Sequence, residues 1–203
     1  MSPAPLTGEL LELGTATLYE ASGIDCALDP RVRPAWAGAR VAGPAFPVVA
    51  RPADNLPLHR ALELAAPGEV LVVQAGGAPH GYWGEVLAVA ARRRGIAGLV
   101  IDGGVRDTER LAAIGFPAFS RWIAVHRTGK DDPGRLGEPT VIGGVPVARG
   151  DMVVADADGV VILPAAQVDA TVRRSRERVA KEEHFLERIR AGESTMDLYG
   201  FRR

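Results

Sequence analysis

Cysteine is almost absent from this chain, which has only Cys26 among its 203 residues. An intramolecular disulfide is therefore excluded, and stability has to come from a packed core, for which the length is ample. A single thiol is also typical of a reducing compartment, so we expect a cytoplasmic protein. Because nothing near Cys26 suggests a nucleophile, we interpret it as a small structural residue.

Net charge and long hydrophobic runs are missing too. The 24 Lys and Arg residues are balanced by 25 Asp and Glu, which leaves a charge of −1 at pH 7. No strong field would therefore recruit nucleic acid or an anionic membrane. No apolar run is long enough to span a bilayer, and Met1–Pro5 lacks the basic and apolar segments of a signal peptide. We expect neither nucleic acid nor a membrane as a partner.

What is present is an alternation of strands, glycine-containing loops and helices, which is typical of an α/β layer structure. The patterns predict helices over Leu6–Leu13, Thr15–Ser22, Asp54–Ala66, Glu85–Arg94 and Thr108–Ile114. Thr15 and Thr17 are candidate caps of the second helix, and Asp54 or Asn55 of the third. Strands are predicted over Ala39–Ala50, with a break at Gly43-Pro44, and over Glu69–Gln74, Gly98–Ile101 and Ala118–Val125.

The C-terminal part has a different pattern. Three short β runs, punctuated by glycines, predict an antiparallel meander over Thr140–Ala148, Asp151–Ala155 and Val160–Leu163. A long, heavily charged helix follows over Ala165–Ala191, and its apolar stripe is too thin to bury much by itself. We therefore predict one α/β domain over residues 1–164 and a helical arm over 165–203, either loosely held or lying across a neighbouring subunit.

Two loops follow buried strands and lead into helices, namely Ala75–Gly84 and Asp102–Arg106. Ligands tend to bind at such carboxyl ends of strands in layered α/β proteins. The first turn of the helix at Glu85 offers the N–H groups of Glu85, Val86 and Leu87, and these favour an anion such as a carboxylate. No phosphate-binding or dinucleotide-binding glycine pattern is present in the sequence, so nucleotides are poorly supported.

Three ionisable residues fall in or beside these loops. Arg106 could grip a carboxylate or a ketone oxygen that becomes an enolate. Asp107 could hold a hard divalent cation such as Mg²⁺ or Mn²⁺, and Glu85 could transfer a proton directly or through a water. The structural alternatives are a helix N-cap for Asp107, a favoured first-turn acid for Glu85, and a surface ion pair between Arg106 and Asp107.

Other residues could line the same cleft. His59 lies one turn into the helix that follows Asp54 and Asn55, and it could face the cleft or simply pack. The glycine loop also carries His80, Tyr82 and Trp83, which could line a pocket or, for the histidine, be merely exposed.

The segment Gly84-Glu85, followed by twenty residues and then Arg106-Asp107, resembles the signature of the 4-hydroxy-4-methyl-2-oxoglutarate aldolase family. The resemblance covers close to the whole chain. Further segments that look like those of the family are Thr15–Leu18, Ile24-Asp25, Arg31–Pro34, Ala39–Ala45, Asp54–Leu62, Val100–Asp107 and Ala191–Gly200.

The resemblance implies a metal-dependent pyruvate aldolase that cleaves 4-hydroxy-4-methyl-2-oxoglutarate or 4-carboxy-4-hydroxy-2-oxoadipate and also decarboxylates oxaloacetate. It implies that Asp107 holds Mg²⁺ or Mn²⁺ largely through waters and that Arg106 stabilises the pyruvate enolate. Glu85 would position the water that protonates the enolate. The residues implied around the substrate are Gly84, Glu85, Val86, Leu87, Arg106, Asn55 and His59.

The resemblance also implies an assembly. The family has an α-β-β-α sandwich, here called the RraA-like sandwich, and forms homotrimers or homohexamers. An acid on the C-terminal helix of the next subunit, Glu182 or Glu183, would hold water on the metal. The loop differs from the family pattern, because Ala78-Pro79-His80 stands where an acid is common and Gln74 replaces an acidic strand end. These differences concern the distal half of the substrate more than the pyruvate half.

A relative of this family, the regulator RraA, binds and inhibits ribonuclease E. It lacks a complete acid–Arg–Asp set with metal chemistry, whereas this chain has the whole set. We therefore favour an enzyme, with a non-catalytic regulator as the alternative. A methyltransferase reading is discounted, because no loop suits S-adenosylmethionine.

Overall fold

The computed structural model describes residues 3–202, and for residues 3–5 it describes the backbone only. The helices of this range are α1 (Pro3–Leu13), α2 (Thr15–Ser22), α3 (Leu56–Leu64), α4 (Glu85–Arg93), α5 (Thr108–Ala113), α6 (Val168–Arg190) and α7 (Thr195–Leu198). The strands are β1 (Arg33–Pro34), β2 (Val41–Val49), β3 (Val70–Gln74), β4 (Gly81–Trp83), β5 (Gly98–Val105), β6 (Ala118–Ile123), β7 (Arg135–Leu136), β8 (Thr140–Ile142), β9 (Val145–Val147), β10 (Met152–Ala155) and β11 (Val160–Leu163).

Strand β2 joins two sheets by changing partner along its length. Its first part, Val41–Pro44, pairs antiparallel with β10, which pairs in turn with β11. Its second part, Ala45–Val49, pairs parallel with β3, and the parallel order continues through β5 to β6. The change falls at the predicted break, where a Cβ on Gly43 would come within 2.4 Å of the Gly68 carbonyl oxygen. The predicted break is therefore a bend between two sheets in a continuous strand.

The buried side chains separate into three layers of core because successive residues of a strand point to opposite faces. The alternate residues Leu71 and Val73 of β3 pack with α3 and α4, while Val70 and Val72 face the second sheet. On that second sheet, Val153 faces inward and Val154 packs with α1, α2 and α6. The layers run helix, sheet, sheet, helix, so the predicted α/β sandwich with a long C-terminal helix is confirmed.

Two sequence predictions about the strands were wrong. The segment Asp102–Arg106 is not a loop, because β5 continues to Val105 and pairs there with β4 and β6. The glycines permit this pairing: a Cβ on Gly103 would lie 2.9 Å from the Tyr82 ring, and one on Gly104 would lie 2.5 Å from the His80 carbonyl oxygen. Part of the predicted glycine loop is likewise a strand, β4.

The predicted meander is two separate hairpins. Strands β8 and β9 pair only with each other in the described part of the chain, while β10 and β11 extend the sheet through β2. The capping prediction for α2 was also wrong, since Gly14 precedes the helix and its first amide, that of Thr15, donates to Asp156 Oδ2 at 2.8 Å. The positions of the glycines therefore predicted where the turns lie but not which strands pair.

Helix α6 buries side chains over its first two turns only, although Arg176 and Arg178 further along still pair with Glu9 of α1 and Glu20 of α2. Val168, Thr171, Val172 and Ser175 are buried against α1 and α2, and Arg174 Nε donates to the Ala21 carbonyl oxygen at 2.6 Å. The part of α6 beyond Ser175 contains no buried residue among those described. Within residues 3–202, no helix combines the length and the apolar character needed to cross a bilayer. The arm's packing on a neighbouring subunit stays a prediction.

Candidate active site

A cavity of about 230 Å³ opens where α3, α4 and the end of β5 meet. It contains most of the residues that the sequence pointed to, together with others. Its lining residues are Asn55, His59, Gly81, Tyr82, Gly84, Val86, Leu87, Arg106, Asp107 and Lys130.

The turn that carries Arg106 and Asp107 is fixed to the start of α4. The Arg106 amide donates to the Trp83 carbonyl oxygen at 2.9 Å, and Asp107 Oδ2 accepts the Glu85 amide at 3.1 Å. Asp107 has a left-handed backbone, with φ of 56°, and its side chain makes no capping bond to α5. A non-glycine residue in this conformation is uncommon and often marks a functional site. Asp107 therefore occupies the predicted N-cap position of α5, but its carboxylate does not cap the helix.

Gly84 allows this close approach. A Cβ at this position would lie 2.3 Å from Asp107 Oδ2 and 3.1 Å from Arg106 Cγ, although the backbone itself is extended and unstrained. Gly81 also leaves room for the Arg106 side chain, since a Cβ on Gly81 would lie 3.1 Å from Arg106 Cδ. The Arg106 side chain thus lies across two glycines, with its Nε 3.8 Å from Asp107 Oδ2.

Arg106 and Asp107 remain accessible to a ligand. Their side chains are 48% and 41% exposed, so the ion pair between them is a weak, solvated one. Both residues line the cavity, so their charged groups are open to it. A ligand oxyanion or a cation can therefore reach the guanidinium and the carboxylate from the same side.

Glu85 is the first residue of α4, but its side chain is exposed and does not line the cavity. Its amide is taken by Asp107, which corrects the expectation that three amides would be available to a substrate. The first intrahelical bond runs from the Ala88 amide to the Gly84 carbonyl oxygen. The Val86 and Leu87 amides precede it and remain as the anion donors of this turn.

The opposite wall comes from α3 and β4. Asn55 Nδ2 donates to the Tyr82 carbonyl oxygen at 2.9 Å, while Asn55 Oδ1 is buried and has no hydrogen-bond partner among the described residues. An unsatisfied buried acceptor beside a cavity is costly unless a ligand or water fills the role. His59 lies one turn further along α3. Its burial, and next the charge of Lys130, lower the pKa of His59, which favours the neutral imidazole.

The aromatic residues of the glycine loop have three different environments. Tyr82 lines the cavity, and its hydroxyl accepts the Ala53 amide at 2.7 Å. Trp83 is fully buried and stacks on Phe116, so it is a core residue. His80 lies outside the cavity lining, with its ring 5.8 Å from that of His126. Of the three, only Tyr82 borders the site.

Lys130 is the cavity residue that the sequence did not reveal. It lies on an irregular segment between β6 and β7, with no motif around it, and only the fold brings it opposite α3. No sequence signal could have found it, because its position depends on the distant Asp54, whose Oδ2 accepts the amides of Asp131 and Asp132 at 2.7 and 3.0 Å.

The donor set fits a hard divalent cation that keeps most of its waters. Asp107 is the one carboxylate in the cavity lining, and the described residues contain no cluster of three His, Cys, Asp or Glu side chains. Mg²⁺ commonly takes one or two carboxylates and completes its shell with water and substrate oxygens. Glu182 and Glu183 lie on the outer part of α6, away from this lining, and Glu182 pairs with Arg178 at 2.8 Å.

Comparisons with known proteins identify relatives of this chain. Residues 15–162 match the family model described as RraA-like, Aldolase/RraA. A relative from Halalkalibacterium halodurans, named provisionally as a 4-hydroxy-4-methyl-2-oxoglutarate aldolase, is 34% identical over 77% of this chain and 75% of its own length.

Two solved structures share the fold. An uncharacterized protein from Pseudomonas syringae pv. tomato is 29% identical, with a TM-score of 0.85 over 94% of this chain and 91% of its own. Streptomyces coelicolor RraAS2, described as an unusual member of the RNase ES inhibitor RraA protein family, is 31% identical, with a TM-score of 0.80 over 91% and 98%. With the family model matching most of its length, this chain belongs to the RraA-like, Aldolase/RraA family.

Proposed function

We propose that this protein is a divalent-metal-dependent lyase. It cleaves 4-hydroxy-4-methyl-2-oxoglutarate, or 4-carboxy-4-hydroxy-2-oxoadipate, to pyruvate and a second oxo acid, and it also decarboxylates oxaloacetate. The observation that carries the proposal is the left-handed turn that places Arg106 and Asp107 against the start of α4, at the mouth of one cavity. The name of the Halalkalibacterium halodurans relative supports the same substrate class.

Binding of the pyruvate half follows from the charges of the site. The Val86 and Leu87 amides and the positive end of α4 receive the substrate carboxylate. The Arg106 guanidinium donates to the 2-oxo oxygen, which becomes negatively charged when the C3–C4 bond breaks. A donor aimed at an oxygen where charge develops lowers the barrier more than it strengthens ground-state binding.

Asp107 would hold Mg²⁺ or Mn²⁺ in this site. The cation, when bound, supplies a Lewis acid that polarises the 2-oxo group. The Asp107 carboxylate suits this role because the Glu85 amide fixes its Oδ2 and the residue lines the cavity. Asp107 and Arg106 therefore act on the same end of the substrate.

Proton transfer completes the cleavage. The C4 hydroxyl loses its proton, the C3–C4 electron pair moves into the pyruvate enolate, and C3 then takes a proton to give the methyl group. We assign to Glu85 the positioning of the water that delivers this proton, because its exposed carboxylate follows Gly84 at the rim of the cavity. In oxaloacetate the bond that breaks is the one to the departing CO₂, and the same enolate forms.

The assembly that we propose is a homotrimer or a homohexamer in which the arm reaches the next copy. Large apolar side chains are exposed along the outer arm, and such surfaces mark interaction sites. These residues are Leu186, Ile189, Met196, Tyr199 and Phe201. Glu182 or Glu183 of the next copy would then supply the acid that the cavity lacks.

A second candidate function is regulation without catalysis, by binding to a ribonuclease. The similarity to RraAS2 over most of both chains favours it. This function needs neither Asp107 nor a metal. Activity toward 2-oxo acids therefore separates the two candidates.

The test is pyruvate release from oxaloacetate with added Mg²⁺, and again with excess EDTA. We expect metal-dependent release, and Arg106→Ala should lower kcat by about 100-fold or more. Arg110→Ala is the matched control, because Arg110 is an exposed arginine on α5 outside the cavity. Release that ignores EDTA, or normal rates in Arg106→Ala, would count against the proposal.

A further inference from the structure

Lys130 reaches the cavity from a segment with no regular secondary structure, which we call the lysine loop and define as residues 126–134. Backbone bonds at one point tie the loop to the start of α3. The Gly129 amide donates to the Ala53 carbonyl oxygen at 2.7 Å, and the Asn55 amide donates to the Gly129 carbonyl oxygen at 3.1 Å. Lys130 is the next residue, so its backbone starts from a fixed position.

Asp54 holds the other side of Lys130. Its Oδ2 accepts the amides of both Asp131 and Asp132, while its Oδ1 accepts the Leu56 amide at the start of α3. The two oxygens thus have separate roles, one local to the helix and one in the lysine loop. A role confined to helix capping would explain only the first.

The Asp54 side chain is a buried carboxylate, because the residue is only 4% exposed. A buried charge needs hydrogen-bond donors around it. Burial alone would raise the pKa of this carboxyl, but the amides of Asp131, Leu56 and Asp132 together hold it below its usual range. Hydrogen bonds to an ionised acceptor are stronger than those to a neutral one. The lysine loop is therefore held by charge-assisted bonds at the two residues that follow Lys130.

The cavity has two cationic ends. Arg106 lies beside Asp107, and Lys130 borders the part of the cavity formed by α3, where its charge is felt by His59. None of the described acidic side chains lies within ion-pair distance of Lys130. A ligand whose one carboxylate lies at the start of α4, beside Arg106, would leave Lys130 without an anionic partner, whereas a second carboxylate could pair with Lys130.

We infer that Asp54 is a positioning residue that holds the lysine loop, so that Lys130 selects 2-oxo acids carrying a second carboxylate. This inference rests on the proposed function and adds to it the basis of discrimination between dicarboxylates and pyruvate itself. Asp54 does not touch the substrate, and all of its effect passes through Lys130.

The experiment compares two ligands and two measurements. Affinities for pyruvate and for 2-oxoglutarate, which has a distal carboxylate and no 4-hydroxyl group to cleave, are measured by calorimetry with Mg²⁺ present. Amide hydrogen exchange is followed in peptides that cover residues 126–134. The variants are Asp54→Asn, Lys130→Met and the two together, with Asp131→Asn as the control that removes one exposed carboxylate from the same loop.

We expect Lys130→Met to weaken 2-oxoglutarate binding by about tenfold, the usual effect of losing one hydrogen bond to a charged group. Pyruvate affinity should change by less than about twofold, the size of a surface substitution. Asp54→Asn should give the same selective loss and faster exchange in the lysine loop. The double variant should be no worse than Lys130→Met, because residues that act through one another are not additive.

Asp54→Ser separates loss of the lysine loop contact from a folding defect. Serine can still cap the Leu56 amide but is too short to reach the lysine loop. This variant should keep the melting temperature closer to that of the unaltered protein and still lose selectivity. Equal losses for both ligands, unchanged loop exchange in Asp54→Asn, or losses that multiply in the double variant would overturn the inference. If the protein still cleaves oxaloacetate, any of these results overturns the inference and leaves the proposed function unaffected. If the unaltered protein binds neither ligand and does not cleave oxaloacetate, the proposed function and the inference are both overturned.

Discussion

At the residue scale, the candidate site depends on where one carboxylate oxygen lies. Asp107 Oδ2 accepts the Glu85 amide and is 3.8 Å from Arg106 Nε. This single oxygen therefore links the two segments that are separated by twenty residues in the sequence. Because the link runs past Gly84, the smallest residue at that position is a geometric requirement.

Gly84→Ala tests this requirement. The added Cβ would meet Asp107 Oδ2 at 2.3 Å, so the carboxylate has to move. We expect pyruvate release to fall by about 100-fold, since a displacement of about 1 Å in a positioned group has this effect. The free energy of unfolding should fall by only about 1–3 kcal/mol, as for other overpacked sites.

Gly8→Ala is the control for that variant. Gly8 lies within α1, and nothing lies within 4 Å of the position of its Cβ. Alanine is a better helix former than glycine by about 1 kcal/mol, so this variant should be as stable as the unaltered protein or more so. Full activity in Gly84→Ala would show that the contact between Asp107 and the Glu85 amide has no role in the reaction.

The residues of the site differ in how well the sequence revealed them. Glu85 and Arg106-Asp107 follow buried strands, and the rule that ligands bind at strand ends places them together. Lys130 comes from an irregular segment and depends on the tertiary bonds of Asp54. No local pattern contains that information, because the partners are 77 and 78 residues apart.

At the element scale, α2 shows the same limit. Its N-terminus was assigned a threonine cap from the local sequence, but the acceptor is Asp156, which lies 141 residues away in the turn between β10 and β11. Asp156 accepts both the amide and the hydroxyl of Thr15, at 2.8 and 2.7 Å. Gly14, which precedes the helix, has no side chain with which to cap it. The cap that the local sequence predicted is therefore replaced by a carboxylate from a distant turn.

Asp156→Ala should therefore destabilise the fold by about 1–2 kcal/mol, the effect of losing a helix cap. The hydrogen bonds of Thr15 and of the turn outweigh burial and lower the pKa of Asp156 from its ordinary value of 3.8. A lowered pKa in the folded state stabilises the protein above the ordinary value, and this stabilisation is lost as the pH falls through the folded-state pKa.

Chemical denaturation at several pH values checks this prediction. The difference in the free energy of unfolding between the unaltered protein and Asp156→Ala should be largest at pH 7. It should become smaller below about pH 3.8, the ordinary pKa of this group. Asp158→Ala is the control, since Asp158 bonds through its amide to Asp156 and through its carbonyl group to Arg33, and not through its carboxylate. A difference of the same size at every pH would contradict the hydrogen-bond origin of the effect.

At the scale of the whole molecule, continuous apolar runs along β3, β5, β10 and β11 predicted the layers, because a strand that is buried on both faces is apolar at successive positions. The order of the strands depends on pairings such as β2 with β10, which bring distant segments together and leave no local signature. The outer half of the arm differs from these layers, because it exposes large apolar side chains such as Leu186 and Ile189 and buries no residue among those described.

If the arm of one copy completes the cavity of the next, two inactive variants should restore each other. Arg106→Ala removes the guanidinium from its own cavity, and the double variant Glu182→Gln with Glu183→Gln removes the acids supplied to a neighbour. In a random 1:1 mixed assembly, about a quarter of the cavities would combine an intact Arg106 with an intact neighbouring arm, because the interface is head-to-tail.

The measurement is pyruvate release after the two variants are unfolded and refolded together, compared with the same variants refolded separately and then mixed. We expect about a quarter of the unaltered activity in the first sample and almost none in the second. Because neither variant holds both groups, recovered activity has to come from cavities shared between copies. No recovery in mixed assemblies, when each variant still forms the oligomer, would mean that the acids act within their own chain or not at all, and full activity of the glutamine variant would remove them from the reaction.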